Sequence, residues 1–251
     1  MIKKTWLVVA MLLVTTSVWA AKTWDVSATT HNLGSTATAA TYFVYVATNE
    51  DEVCIFCHTP HGGTLNTPLW NRTLPNQGAG SEFSHYTSTT LSTKIRVDLS
   101  PTRPISAESL LCMSCHDGVV GVGTLVNYSN GTVGKPDNEL AKIQPMLPIT
   151  PGSAIGDSFA NDRPTRDLRD DHPISFSYDA VKADVAKGGR LHTVAEAKNG
   201  ILGVRFFGTN NRVECSSCHD PHVNGNIDSA YSPFLVMPNT GSALCLACHI
   251  K

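Results

Sequence analysis

The 251-residue chain has no cysteine outside a CxxC pair: Cys54 and Cys57, Cys112 and Cys115, Cys215 and Cys218, and Cys245 and Cys248 account for all 8. It is poor in charge, with 16% of residues charged and no basic excess. Nucleic acids and anionic membrane surfaces are recognised first through clustered Lys and Arg, so this balance argues against both as partners. Beyond residue 20 no stretch reaches the roughly 18 consecutive apolar residues of a membrane-spanning helix. What the chain has instead is 19 glycines and 14 prolines among many Thr, Ser and Asn, a composition that favours turns over long regular elements.

The first twenty residues stand apart. Lys3 and Lys4 precede the apolar stretch Trp6–Val14, and Val18 and Ala20 form an A-x-A-like site. The expected domain plan is therefore a secretory signal peptide over 1–20, cut between Ala20 and Ala21, and a mature domain over 21–251. An uncleaved anchor is the rival, but the apolar core is short for a span. The first cysteine, Cys54, lies too far on for lipid attachment. Cleavage removes two of 19 basic residues and leaves 17 against 21 acidic ones, a net charge of −4.

Each cysteine pair is followed directly by a histidine: CIFCH ending at His58, CMSCH at His116, CSSCH at His219 and CLACH at His249. In c-type haem attachment two thiols add across the two vinyl groups of a porphyrin, and two intervening residues bring both sulfurs to one ring edge. The adjacent histidine then binds iron from one face. Zinc ribbons would use the cysteine pairs but need no histidine after each one. Disulfides are allowed in an exported protein, and they leave the four histidines unexplained. Four covalently bound c-type haems are the expected cofactors, attached through the eight cysteines. They supply much of the apolar core, so the expected fold is mostly loop, with short helices carrying the CxxCH motifs and a few short strands around stacked haems.

In chain order, Thr41–Ala47 reads as a strand. Asn49 and Glu52 form a capping pair for a short helix bearing the first motif. His58 and His61 then fall three apart on one helical turn, where they cannot occupy opposite faces of one porphyrin. His61 is thus either unliganded or bound to a second iron. Ser106 and Glu108 start a second helix into Cys112–His116. Residues 117–169, with four prolines from Pro145 to Pro164, read as a wrapping loop or linker. Trp70, Phe83 and Tyr86 are expected against porphyrin edges or in an ordinary core. Pro173 holds His172 in extended backbone. A helix is expected over Asp179–Lys187, a strand over Ile201–Phe207, and a final helix capped by Ser242. CSSCHDPH repeats the opening pattern, placing His222 three residues after His219. The chain ends at Lys251, two residues after His249, and is expected to leave the last haem uncovered.

Six histidines remain beyond the four in the motifs: His31, His61, His85, His172, His192 and His222. Met113, Met146 and Met237 are the methionines after the leader, and Met113 sits inside a motif. Surplus histidine with scarce methionine points to bis-histidine iron, which is low-spin and has no open position for a substrate. An electron carrier is therefore expected rather than an enzyme. A multihaem reductase, which needs an exchangeable position on iron, is the enzymatic alternative.

HNL near the start, then CIFCHTPH, PLWNR, LCMSCHDG, DHPISFSYD, VECSSCHDPH and LCLACH, together resemble the tetrahaem extracellular filament (nanowire) cytochromes of metal-reducing bacteria, over most of residues 31–250. The resemblance implies bis-histidine haems stacked in alternating parallel and perpendicular pairs, with His31, His61, His172 and His222 as distal ligands beside His58, His116, His219 and His249. It also implies subunits joined end to end, a secreted, cell-surface location in a Gram-negative bacterium, cytochrome donors of the periplasm or outer membrane, and extracellular acceptors such as metal oxides. His61 is the first residue expected to ligate a haem of a neighbouring subunit, in a head-to-tail contact that does not close. His31 is the next. The alternative is a monomeric periplasmic tetrahaem carrier. His85 and His192 match no histidine of the family pattern.

Overall fold

The structure is a computed structural model, and it describes residues 24–34, 46–47, 50–63, 68–77, 83–98, 105–117, 125–127, 143–144, 166–197, 203–224 and 229–251. The signal peptide, Asn49, most of Thr41–Ala47 and most of 117–165 lie outside them. Described secondary structure is sparse. Its helices are α1 (Thr93–Asp98), α2 (Ala107–His116), α3 (Tyr178–Lys182), α4 (Val194–Ala197), α5 (Cys215–Cys218) and α6 (Ala243–Cys248). Its strands are two-residue pairs: β1 (Val46–Ala47) with β3 (Ile143–Gln144) and β5 (Phe176–Ser177) with β6 (Arg212–Val213), both antiparallel, and β2 (Ser84–His85) with β4 (Asp167–Leu168), parallel. None of the described helices is long and apolar enough to cross a membrane.

Two small apolar clusters hold the described chain. In one, Ile95, Phe176, Tyr178, Val181, Leu191 and Val213 pack together, and Cys248 joins their edge. In the other, Phe83, Ile105, Leu110, Met113 and Leu168 do so, and Cys215 joins theirs. Each cluster thus presses a motif cysteine against buried hydrocarbon, worth about 1.5–3 kcal/mol per fully buried large side chain. Gly188 is fitted to this packing, since a Cβ there would lie 1.9 Å from the Lys182 carbonyl oxygen.

Several local expectations are corrected. The first motif rides on a single 3₁₀ turn, Val53–Phe56, and the Glu50 carboxylate accepts the Glu52 N–H at 2.9 Å, while Asn49 of the expected capping pair lies outside the described residues. His58 and His61 are consequently not on one helical turn. The chain has left the helix at His58, which forms an isolated bridge with Trp70. α2 begins after Ser106 as expected, but the Ser106 hydroxyl meets Ser175 instead of capping the helix. The expected Asp179–Lys187 helix stops at Lys182, where the Lys182 ammonium donates to the carbonyls of Gly188 and Leu191. The described part of Ile201–Phe207 is not a strand. The chain reverses between Phe207 and Arg212 through Gly208 and Asn211, both at positive φ, and the strand forms on the far side of that turn. At α6, Asn239 Oδ1 accepts the Leu244 N–H, and Ser242 forms no side-chain cap bond.

Glu214 ties these pieces together. Its buried carboxylate accepts from Ser109 Oγ at 2.6 Å, Ser175 Oγ at 2.8 Å and Arg212 Nε at 3.2 Å, and it forms a reciprocal capping box with Ser217 at the start of α5. One side chain therefore joins α2, the segment before β5, β6 and α5. Glu214→Ala leaves two buried hydroxyls and a guanidinium without their acceptor and is expected to cost about 3 kcal/mol. Chemical denaturation followed by circular dichroism measures this loss, and a midpoint equal to the wild type refutes the role given to Glu214.

Candidate haem-binding site

All ten histidines lie among the described residues, and the chain brings six of them together in pairs. His58 faces His222 with ring centres 6.2 Å apart, His31 faces His116 at 6.1 Å, and His172 faces His249 at 6.5 Å. Each pair joins one motif histidine to one histidine outside the CxxCH signatures. Among the described residues no three His, Cys, Asp or Glu side chains converge on one point. Two is the number an iron takes from the protein when a porphyrin supplies its other four donors. Imidazoles binding one ion from opposite sides at about 2.0 Å have ring centres about 6.2 Å apart, because each centre lies roughly 1.1 Å beyond the bound nitrogen. The three separations fit haem iron.

Local structure sets one end of each pair in the same way. The motif histidine N–H returns to the carbonyl of the first motif cysteine in His58 (2.8 Å), His219 (3.0 Å) and His249 (2.9 Å), and His116 ends α2. Both thiols and the imidazole of a motif are thus carried on one helical turn. All eight cysteines are free thiols in the structure. Burial pushes Cys57 up to about 12 and Cys218 up to about 11, so these sulfurs are neutral thiols.

The opposing histidines arrive on loops. His31 follows a 3₁₀ turn (Val26–Ala28) that Asp25 caps, and its ring lies 4.5 Å from that of Phe234. Burial first, then His116 and His222, hold His31 down to about 4, which keeps the imidazole neutral and able to bind a metal ion. His172 lies outside the helices and strands, directly before Pro173, whose carbonyl lies 2.8 Å from its Nδ1. His249 is held below its usual value by burial and then by His172. His222 follows His219 in the CHDPH segment, and Trp24 lies 6.4 Å from its ring at 18° from parallel.

Ring orientation depends on what occupies Nδ1, since that bond leaves Nε2 for a metal. His58 Nδ1 meets the Pro68 carbonyl at 2.8 Å, and His219 Nδ1 meets the Pro233 carbonyl at 2.9 Å. His222 Nδ1 instead meets Asp220 Oδ1 at 2.9 Å. Burial of Asp220 opposes its ionisation, but hydrogen bonds from His222 and Arg205 outweigh it and hold the carboxyl well below the usual range. Three residues between the motifs also contribute. Asn71, fully buried, exchanges bonds with Ile55 and Asn127, and Asn127 Nδ2 in turn donates to Thr59 Oγ1 and to the carbonyls of His61 and Gly62. Arg72, also fully buried, donates to the Ser114 carbonyl beside Cys115.

Among the described residues, His61, His192 and His219 are in no such pair. His61 and His219 are exposed, and neither faces another imidazole among the described residues. His85 is buried on β2, and His192 lies 3.8 Å from Glu196 beside α4. Trp70 stands edge-on to His58, while Phe83 lies in the apolar cluster beneath Arg166. No protein-family model matches the chain, and no curated protein matches it either.

Asn71→Ala removes three hydrogen bonds, one to the Ile55 carbonyl and two with Asn127, whose own side chain holds Thr59, His61 and Gly62, a loss of about 2–3 kcal/mol. Hydrogen exchange of the amides in 57–62 reports it. Protection there should fall while α6 keeps its own, and unchanged protection in 57–62 counts against the pinning.

Proposed function

We propose that the protein transfers electrons outside the cytoplasm through four bis-histidine c-type haems, as a head-to-tail filament that delivers them to external acceptors such as metal oxides. The observation that carries this proposal is the set of three histidine pairs, each matching the span of two axial ligands and each anchored in a CxxCH motif. When bound, each haem supplies a one-electron couple between ferric and ferrous iron.

The chain's own contribution is to place attachment points close together. Cys57 lies near Cys115, Cys112 is within hydrogen-bonding reach of Cys215, and Cys218 lies near Cys248. Neighbouring thiols thus belong to motifs that are consecutive in sequence, which supports an electron path in the order first, second, third, fourth. The segment 215–222 adds a link, because it carries the motif ending at His219 and also His222, which faces His58.

The unpaired histidines support the assembly. His61 is held out on a loop that Asn127 fixes, and His219 has one side unmatched. A His61 from one subunit opposite His219 of the next completes the fourth pair. Such a contact is heterologous and propagates. The ferric protein should therefore carry four haems per chain, all low-spin. The near-parallel His58–His222 rings (18°) predict one rhombic electron paramagnetic resonance signal. The near-perpendicular His31–His116 (73°) and His172–His249 (71°) rings predict two signals with a large maximum g.

Electron microscopy of the secreted wild-type protein should show filaments, and His61→Ala should abolish them while leaving three low-spin haems and one high-spin haem per chain. Normal His61→Ala filaments refute the inter-subunit role of His61. A wild-type chain that stays single at every concentration favours a periplasmic carrier. Carbon monoxide binding by most of the reduced wild-type protein favours a reductase.

A further inference from the structure

The two CHxPH copies differ at their central position, Thr59 in the first and Asp220 in the second. The Thr59 hydroxyl donates to the His61 carbonyl at 2.9 Å and leaves the His61 ring alone. Asp220 is 1% exposed. Its Oδ1 accepts from the His222 backbone N–H at 3.1 Å and from His222 Nδ1 at 2.9 Å, and its Oδ2 accepts from Arg205 Nη2 at 2.6 Å.

We propose that Asp220 is a positioning residue that sets the reduction potential of the haem held between His58 and His222, keeping it lower than carbonyl-partnered ligands would. This rests on the haem assignment above. An ionised carboxylate has no proton to give, so Nδ1 is the donor and Nε2 carries the lone pair that faces His58. A buried anion on Nδ1–H draws that proton away from the ring and makes the imidazole a stronger donor, which favours ferric over ferrous iron. His58, His172 and His219 lean on neutral carbonyls, which pull far less on the proton. Arg205 opposes the effect, because it shares the carboxylate's charge. Its side chain is 38% exposed and therefore partly screened by water, whereas the His222–Asp220 bond lies at the ligand itself.

A purely structural Asp220 would only hold the turn, through the His222 backbone N–H. Asp220→Asn keeps that acceptor and the side-chain shape but removes the charge. The test is a redox titration of the intact protein followed by electron paramagnetic resonance, tracking the rhombic signal of the His58–His222 site, after haem content has been counted by mass. The expected result is four haems in Asp220→Asn, with the rhombic midpoint raised by about 59 mV, a tenfold change in a one-electron equilibrium. The other midpoints should stay in place, and Asp220→Glu should move the rhombic one back. Four haems with an unmoved rhombic midpoint overturn the role of Asp220. A wild-type chain without four haems overturns the haem assignment itself. If Asp220→Asn does not fold, Arg205→Gln decides: removing the opposing cation should lower the same midpoint, and no change there overturns the proposal.

Discussion

Three pairs of imidazoles from residues far apart in sequence are held across gaps of about 6 Å, and the rest of the described structure depends on keeping them there. The haem centres proposed for this protein rest on that geometry, because an iron held in a porphyrin would take two ligands from the protein. One member of each pair is carried on a helical turn next to its cysteines, and the other comes from a loop that is distant in sequence. His58 and His222 are brought together by the 215–222 segment, His31 and His116 by the N-terminal loop, and His172 and His249 by the loop before Pro173. Long-range loop closure is entropically costly. A small polar chain with short helices offsets it through two apolar clusters and a few buried polar nodes, of which Glu214 is the most connected.

Those nodes also explain why so little regular structure is enough. Asn71, Asn127, Glu214 and Asp220 each satisfy several backbone or side-chain groups where no helix or sheet ladder is available to do so. Buried polar groups of this kind are costly when one partner is lost, which makes the loops between motifs sensitive to single substitutions. The apolar clusters reach the motif cysteines Cys215 and Cys248 directly, so the packing of the core also positions these two thiols.

The two CHxPH segments show how one change divides a repeated motif into two roles. In CHDPH the carboxylate turns toward the histidine ring and directs His222 at His58. In CHTPH the hydroxyl turns toward the backbone, and the His61 ring stays in solvent. Asp220 thus fixes the orientation of the His222 ring, whereas Thr59 fixes only the backbone at His61, and the two different roles proposed for these histidines build on that contrast.

Much of this was legible in the residues. The CxxCH spacing alone sets where two thiols and an imidazole share one turn, because that relation is local and helical. Pro173 keeps His172 out of a helix for the same local reason, and Ser106 marks the start of α2. Helix lengths and caps were less legible: Asn239 displaced Ser242, Glu50 served the first motif, and Gly208 with Asn211 replaced an expected strand with a reversal. Which histidine opposes which was not in the sequence at all. On spacing alone His31 and His172 could each serve any of four motifs and His222 any motif but its own, and only the three-dimensional path of the loops sets them opposite His116, His249 and His58. The reason is physical: a ligand pair is a contact across space between residues far apart in the chain, and no local propensity records it.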